Sequence, residues 1–214
     1  MFRDRQDAGE QLAEKLSSLS LRDPIVLAIP RGGIVPAVAI AQRLRADLDV
    51  VLAHKLRSPL QPELALGSIG EDGQVFFDQR LQNAFHVSED YLENERQKQF
   101  QELKRRQLLF RSGQPAARVK DRSVILTDDG IATGSTMHAA IEVIRAQKPH
   151  ELIVAVPVAP PSRIEEIQGR CDRVICLETP YNFMAVGQFY QSFQPVRDSE
   201  VVQQLMRHAA TAQQ

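Results

Sequence analysis

The stretch VILTDDGIATGST, residues 124–136, joins an apolar run to two adjacent acids and then to a loop of small residues. The apolar run is typical of a short buried strand, and the residues from Ser135 onwards have the spacing of a helix. Strand, loop and helix in this order place residues 128–136, here called the central loop, at the carboxyl end of a parallel strand. Open α/β sheets bind their ligands at that edge, so we expect the central loop to hold one.

The small residues of the central loop are suited to binding a phosphate. Gly130 permits a backbone conformation that a side chain would forbid, and Gly134 lets another atom approach closely. Consecutive backbone N–H groups, together with side-chain hydroxyls, can converge on an anion at the start of the following helix. The residues predicted to bind the phosphate are Gly130, Ile131, Ala132, Thr133, Gly134, Ser135 and Thr136.

Three common phosphate-handling motifs do not fit the central loop. A Walker A loop has a lysine before its Ser or Thr, whereas Ser135 directly follows Gly134. The dinucleotide fingerprint G-x-G-x-x-G is absent from this segment. Enzymes that form an aspartyl phosphate have a second aspartate two positions after the first, where this chain has Gly130. These departures favour a loop that holds a phosphate without transferring it.

Asp128 and Asp129 immediately precede these small residues. Ionised carboxylates only accept hydrogen bonds, so they suit neighbouring hydroxyl groups better than phosphate oxygens. A ribose 5-phosphate fits both features, with its phosphate in the loop and its 2- and 3-hydroxyls on the two acids. In the competing interpretation, the acids only cap the following helix.

Residues 124–136 resemble the thirteen-residue signature of the type I phosphoribosyltransferases: four apolar or small residues, two acids and a phosphate loop. The resemblance implies transfer of the 5-phosphoribosyl group from phosphoribosyl pyrophosphate (PRPP) to a nitrogen nucleophile, with release of pyrophosphate. It implies a catalytic role for Asp128 and Asp129, which would fix the ribose and hold negative charge near the developing cation. It also implies Mg²⁺ as cofactor, carried by PRPP with few direct bonds to the protein.

A second motif, AIPRGG at residues 28–33, would by itself indicate only a turn after a buried strand. In the family that the chain resembles, the loop after the first core strand binds the pyrophosphate of PRPP. The resemblance therefore assigns Arg31, Gly32 and Gly33 to pyrophosphate binding, with Arg31 also catalytic. Arginine offers a fork of charged donors, and glycines leave backbone N–H groups accessible. The resemblance further implies a cis peptide at a non-proline residue in residues 30–33, here called the PRGG loop.

The segment AHKLRSP, residues 53–59, resembles the place where the family supplies another basic residue and then a mobile lid. Lys55 is predicted to contact pyrophosphate or substrate and to act in catalysis, with Arg57 as a second candidate. His54 is predicted to be a packed or surface histidine. The glycines that follow would permit a lid to move, although a plain surface hairpin is an equally good interpretation.

The overall charge is nearly balanced, with 26 Lys and Arg against 27 Asp and Glu, a formal net charge of -1. A nucleic-acid binder usually has a basic excess, so we expect no nucleic-acid partner. The basic cluster Lys104, Arg105 and Arg106 is predicted to lie on a solvated helix face. Cys171 and Cys176 lack a zinc spacing and are expected to be buried thiols. With no apolar leader and no run of about 20 apolar residues, we expect a cytoplasmic protein without membrane contact.

The remaining pattern predicts an α/β fold, a parallel β-sheet flanked by helices on both faces. The predicted strands are 24–29, 49–56, 124–127, 152–156 and 173–177, and a hairpin turns at 71–73. The predicted helices are 6–19, 34–44, 88–110, 135–147, 162–168 and a last one from about 198. We expect a single domain over residues 1–214, with a lid or insert at about 57–112 and a C-terminal hood at about 179–214.

The hood and the long helix leave several alternatives open. Aromatic residues such as Tyr181, Phe183 and Phe189 either stack on an acceptor base or pack the hood or a dimer face. The long helix 88–110 exceeds the family core and is a candidate subunit contact, so a homodimer is expected. The acceptor is left open as a nucleobase or related small molecule. The rival functions are a PRPP-sensing regulator and a transferase that uses ammonia supplied by a glutaminase partner.

Overall fold

A computed structural model describes residues 1–59, 65–77, 87–112 and 114–212. Its helices are α1 (Arg5–Leu16), α2 (Ile34–Leu44), α3 (Glu89–Arg111), α4 (Ser135–Ala146), α5 (Pro161–Gln168) and α6 (Asp198–Ala212). Its strands are β1 (Ile25–Ala28), β2 (Asp47–Val50), β3 (Ala53–Arg57), β4 (Ala65–Gly70), β5 (Val75–Phe77), β6 (Ser123–Thr127), β7 (Glu151–Val158) and β8 (Arg173–Glu178). Part of the predicted lid, 57–112, lies outside the described residues.

A five-stranded parallel sheet in the order β2-β1-β6-β7-β8 forms the centre of the fold. The strands β1 and β6 are buried at every position, as expected of strands covered on both faces. Two apolar clusters fill the space on either side of the sheet, one containing residues of α1 and α2 and the other residues of α4. The predicted fold class, an α/β fold with helices on both faces, is confirmed.

The helices α1 and α2 pack closely because a glycine lies at their contact. A Cβ atom on Gly9 would lie 2.6 Å from the Cα of Pro36, so a larger residue would separate the helices. Asp4 caps α1 by accepting a hydrogen bond from the backbone N–H of Asp7. Pro36 lies in the first turn of α2, where its missing N–H costs no helical hydrogen bond.

The predicted strand 49–56 is wrong, because the chain changes sheets within it. Residues up to Val50 pair with β1 as β2, whereas β3 begins at Ala53 and pairs antiparallel with β4. Val51 donates its N–H to Ala28 as the last link to the parallel sheet. Residues 49–53 are all buried and the last four of them are apolar, so the composition of the run does not reveal the change. The predicted hairpin at 71–73 is confirmed as the turn between β4 and β5.

The long helix α3 confirms the prediction for 88–110. Ser88 caps it by accepting a hydrogen bond from the N–H of Tyr91, and Ser112 ends it in the left-handed conformation with φ 50°. One face carries buried residues, among them Leu103 and Phe110, and packs on β3 and β4. In the part of the chain that the structure describes, every helix is too short or too polar to cross a lipid bilayer.

A buried arginine fixes the end of α3 to the sheets. The side chain of Arg111 is only 5% exposed, and its Nε lies 2.9 and 3.0 Å from the two carboxylate oxygens of Asp49. It also forms an ion pair with Glu71, and its Nη2 donates to the carbonyl of Val50 at 2.6 Å. Asp49 additionally accepts from the N–H of Ala117. These hydrogen bonds compensate for taking the charges out of water.

Replacement of Arg111 should therefore destabilise the protein. Arg111→Met leaves Asp49 and Glu71 buried without their cation, so the free energy of unfolding should fall by about 3–5 kcal/mol, measured by urea denaturation. The control is Arg96→Met, which removes an ion pair with Glu93 on the surface of the same helix and should leave the midpoint nearly unchanged. Equal midpoints for the two variants would contradict a structural role for the buried cluster.

Candidate active site

The two loops predicted to bind ligand lie side by side because β1 and β6 are adjacent. These parallel strands pair in register, and their last residues, Ala28 and Thr127, are partners. One further hydrogen bond, from the N–H of Ile29 to the carbonyl of Thr127 at 2.9 Å, continues the pairing into the loops. The PRGG loop and the central loop therefore leave the sheet at the same edge, which is where open α/β sheets bind ligands.

The glycines of the PRGG loop allow the two loops to touch. A Cβ atom on Gly32 would lie 2.0 Å from Oδ2 of Asp129, and one on Gly33 would lie 2.9 Å from the Cα of Asp128. Any side chain at either position would displace an acid of the central loop. The peptide bond between Pro30 and Arg31 is cis, as the family resemblance implied, and the side chain of Arg31 is exposed at this edge.

The two acids differ in their electrostatic surroundings. Asp128 is half-buried, and this burial together with the negative charge of Asp129 raises its pKa well above the usual range. Its Oδ1 accepts a hydrogen bond from the N–H of Asp129 at 2.8 Å. Asp129 instead has a cationic partner, because the Nε of Arg5 lies 2.6 Å from its Oδ2.

Arg5 is a site residue that the sequence analysis missed. Its side chain is 10% exposed, its Nη1 donates to the carbonyl of Gln194 at 2.8 Å, and its guanidinium lies 3.7 Å from the ring centre of Phe193. A charged residue on the apolar face of α1, three and seven positions before Ala8 and Leu12, was the available signal. A buried arginine at such a position needs a partner, but the sequence does not say which acid provides it.

The N-terminal residues and the hood together hold Arg5 in place. Phe2 pairs with Tyr190 as an isolated β-bridge, and their rings lie 5.4 Å apart. The Tyr190 hydroxyl donates to the backbone carbonyl of Asp129 at 2.6 Å, and its burial raises the pKa of the phenol. The loop of the two acids is thus attached to the N-terminal helix through Arg5 and to the predicted hood through Tyr190.

The aromatic residues of the hood mostly pack on one another. Phe183 and Phe189 are stacked with their ring centres 5.4 Å apart, and Phe193 stacks on Tyr190 at 5.0 Å. Their packing agrees with the interpretation of these rings as hood structure. Tyr181 differs, because it is 92% exposed.

The central loop leads directly into α4. Gly134 has φ 80°, a conformation that a residue with a side chain adopts only with strain, and α4 begins at the next residue. Thr133 and Ser135 share a hydrogen bond at 3.0 Å between their hydroxyls. The first N–H groups of α4 have no partner within the helix and point towards this loop.

Ile131 differs from the other residues predicted to bind phosphate. Its N–H donates to the carbonyl of Val158 at 2.9 Å, and its side chain is buried in the apolar cluster beneath α4. Gly130 is also tightly packed, since a Cβ atom there would lie 2.7 Å from Val186 of the hood. These two residues anchor the loop, while Ala132, Thr133 and Thr136 are exposed.

Lys55 lies on β3 beside a cavity of about 740 Å³ that also reaches Pro30 and Thr136. The cavity therefore adjoins both loops of the site. His54, next to Lys55, is half-buried, and its Nδ1 lies 2.8 Å from Oε1 of Gln99. Of the two predicted possibilities, a packed or a surface histidine, this contact favours the packed one.

Cys171 and Cys176 are both free thiols, the first buried and the second half-buried. Within residues 1–59, 65–77, 87–112 and 114–212, no three His, Cys, Asp or Glu side chains are close enough to hold a metal ion by themselves.

Comparison with known proteins agrees with this geometry. The chain matches the family described as "Phosphoribosyl transferase domain" over residues 4–193. Two curated Mycobacterium tuberculosis proteins are each 42% identical to it over 202 residues: "Putative phosphoribosyl transferase MT0597" (strain CDC 1551 / Oshkosh) and "Putative phosphoribosyl transferase Rv0571c" (strain ATCC 25618 / H37Rv). The aligned region is 94% of this chain but 46% of each relative, so the chain spans about half the length of the curated relatives it matches.

A solved structure is similar over its whole length. The crystal structure of TT1426 from Thermus thermophilus has 42% sequence identity and a TM-score of 0.90. The match covers 96% of this chain and 98% of that chain. The arrangement of strands and loops described above is therefore shared with a protein whose structure is known.

The effect of Asp129 and Arg5 on the pKa of Asp128 can be tested with two variants that should shift this pKa in opposite directions. Asp129→Asn removes a neighbouring negative charge and should lower the pKa of Asp128, whereas Arg5→Gln removes a nearby positive charge and should raise it further. Both shifts can be followed by NMR titration of the Asp128 carboxyl carbon. The pKa of Asp7, which hydrogen bonds from Arg3 hold below its usual value, should not move in either variant. Shifts of the same sign in both variants would contradict the coupling.

Proposed function

The chain belongs to the phosphoribosyl transferase domain family, and from that premise we propose that it transfers the 5-phosphoribosyl group of PRPP to a nitrogen nucleophile. The observation that carries this proposal is the contact between the PRGG loop and the two acids of the central loop. The predicted phosphate loop, the pair of carboxylates and the arginine-glycine loop then lie together at one sheet edge. PRPP carries a 5-phosphate, a vicinal diol and a pyrophosphate, which are the groups that these three features suit.

In the proposed complex, the 5-phosphate accepts hydrogen bonds from the backbone N–H groups at the start of α4 and from the hydroxyls of Thr133, Ser135 and Thr136. Asp128 and Asp129 accept hydrogen bonds from the ribose hydroxyls. Arg5 acts as a positioning residue, since it contacts Asp129 and the hood. Gly130 and Ile131 contribute by fixing the backbone of the loop.

The pyrophosphate would bind at the PRGG loop. Arg31 supplies charged donors, Gly32 and Gly33 supply backbone N–H groups, and Lys55 on β3 adds a second cation. During the reaction the bond from C1 of the ribose to pyrophosphate breaks, and pyrophosphate keeps the electron pair. A bond then forms from C1 to the acceptor nitrogen, which loses its proton to solvent. The cations stabilise the leaving group, while the carboxylates stabilise the positive charge on the ring.

Mg²⁺ fits this donor set, because carboxylate and phosphate oxygens are the ligands that it prefers. When bound with PRPP, the ion neutralises charge on the pyrophosphate and on the ribose oxygens. Asp128 and Asp129 are the residues of this chain that would contact it, directly or through water.

We propose that the hood, residues 179–214, covers the acceptor and that residues 57–112 include a lid. The hood contacts the central loop at Gly130 and Asp129, so an acceptor held beneath it would face the ribose. The acceptor would be a nucleobase or a related small molecule. A single domain over residues 1–214, a homodimer and a cytoplasmic location complete the proposal.

The direct test measures pyrophosphate release from PRPP and Mg²⁺ with a panel of purines, pyrimidines and ammonia, together with calorimetric binding of PRPP. Release that depends on one acceptor is expected and would identify that acceptor. PRPP binding without release by any acceptor would favour a PRPP-sensing protein. Absence of PRPP binding would reject the assignment of both loops.

The two acids should be essential for turnover. Asp128→Asn combined with Asp129→Asn should abolish pyrophosphate release while the far-ultraviolet circular dichroism spectrum stays unchanged. Asp121→Asn is a matched control, because Asp121 is exposed and its φ of 65° is a conformation that asparagine tolerates. Unchanged turnover in the double variant would rule out the ribose contacts.

Arg31 should contribute to PRPP affinity. Arg31→Gln removes a charge-assisted contact to the pyrophosphate and should weaken PRPP binding by about 1.5–3 kcal/mol, or roughly 10- to 150-fold in Kd. The control Arg43→Gln removes an exposed arginine from the last turn of α2 and should leave Kd unchanged. Equal affinities of the Arg31 variant and the parent would argue against pyrophosphate binding at the PRGG loop.

A further inference from the structure

The cavity of about 740 Å³ extends well beyond the loops of the proposed active site. One wall comes from β3 and another from α3, a helix that the family resemblance does not explain. Its size lies within the range of about 300–1,000 Å³ that is typical of small-molecule sites, which is more than one phosphate group needs. The proposed phosphoribosyl transfer uses only Pro30, Lys55 and Thr136 at its edge.

Positive charge is concentrated around this cavity. Among the residues that the structure describes, five cationic side chains and one acidic side chain line it: Lys55, Arg57, Lys98, Arg105, Arg106 and Glu102. The whole chain, in contrast, has a net charge of -1. Like charges that surround one cavity repel each other unless an anion lies between them, so this distribution favours an anionic ligand.

Glu102 holds two of the arginines of α3, Arg105 and Arg106, as a pair. This acid accepts two hydrogen bonds from Arg105, both at 2.8 Å, and one from Arg106 at 3.0 Å. The hydrogen bonds from Arg105 and Arg106 lower the pKa of Glu102 to about 2. The carboxylate therefore stays ionised and orders the two guanidinium groups, while the lining as a whole stays cationic.

The sequence predicts that residues 104–106 lie together on a solvated helix face. The structure separates them, because Arg105 and Arg106 line the cavity, whereas the Nζ of Lys104 lies 5.1 Å from the ring centre of Phe100. Lys104 does not line the cavity. The basic cluster therefore has two parts with different surroundings.

The lining of the cavity also contains apolar residues, which are Ile29, Val51, Leu52, Ala53 and Ala140. A lining that combines cationic and apolar side chains matches a ligand that has both a phosphate chain and an organic body. Inorganic phosphate alone would leave the apolar part of the lining in contact with water.

We propose that this cavity binds an organic polyphosphate of the nucleoside di- or triphosphate class, as a second ligand beside PRPP. The phosphates lie against Lys98, Arg105 and Arg106 on α3, and the organic body lies on the apolar part of the lining. The two sites adjoin at Lys55 but differ in their other cations, because this site uses the three cations of α3 and the pyrophosphate site uses Arg31 of the PRGG loop. Since Pro30 and Thr136 border the cavity, its occupation and PRPP binding affect each other reciprocally.

Calorimetric titration of the full chain with ATP tests the proposal, with Mg²⁺ in excess and with PRPP either absent or saturating. One ATP should bind per chain in both conditions, and adenosine and tripolyphosphate should each bind more weakly than ATP. Arg105→Gln combined with Arg106→Gln should weaken ATP binding at least tenfold.

Two control variants distinguish ATP binding at this site from unspecific attraction to surface charge. Arg96→Gln breaks an ion pair with Glu93 that has the same spacing along α3 as the pair of Arg105 with Glu102, and Lys104→Gln removes the cation next to the site. Both controls should change ATP affinity by less than twofold.

Three outcomes would overturn the proposal. They are no ATP binding, complete displacement of ATP by saturating PRPP, and equal losses in the control and site variants. Displacement would mean that ATP occupies the pyrophosphate site, and equal losses would mean unspecific attraction. If PRPP fails to bind while ATP binding depends on Arg105 and Arg106, the proposed transferase function fails and this inference stands.

Discussion

The in-register pairing of β1 with β6 is the constraint on which the candidate site depends. Ala28 and Thr127 end their strands as partners, so the two loops that follow leave the sheet at the same height. The loops can then touch only because Gly32 lacks a side chain, since a Cβ atom there would lie 2.0 Å from Oδ2 of Asp129. A shift of one residue between these strands would turn their side chains to the opposite faces and separate the loops. Backbone pairing and a missing side chain thus determine the geometry of the acids.

Charge balance is the second constraint at this edge. Asp128 and Asp129 adjoin each other with little exposure to water, and the energy of keeping both ionised falls when a cation is close. Arg5 supplies that cation, and its guanidinium is itself held by Phe193 and the carbonyl of Gln194. The hood therefore fixes the cation that makes the acid pair possible. This dependence explains why the N-terminal residues and the hood pack on each other close to the ligand-binding edge.

The sequence predicted the features that depend on neighbouring residues. The apolar run, the two acids and the small residues after them indicated strand, loop and helix without reference to the rest of the chain, and the structure has β6, the central loop and α4 there. Contacts between distant residues could not be predicted in this way. Arg5 and Asp129 are 124 positions apart, and the residue pattern of α1 gives no partner for the arginine. The change of sheets after Val50 was missed for a related reason, because burial continues across it and only the pairing partner changes.

The order of charges along the sheet edge limits how the proposed reaction can proceed. The PRGG loop follows β1, the acids follow β6, and Val158 of the next strand, β7, packs in one cluster with Val186 of the hood. The cationic cavity adjoins the PRGG loop at Pro30. In the proposed complex, pyrophosphate, the most negatively charged part of PRPP, would be attracted towards the cations near the PRGG loop and repelled by Asp128 and Asp129. A nucleophile that displaces it would approach C1 from the opposite side, which is the side of the hood. The charges at this edge therefore favour one orientation of PRPP in the proposal and an acceptor beneath the hood, before any specific contact with the acceptor is considered.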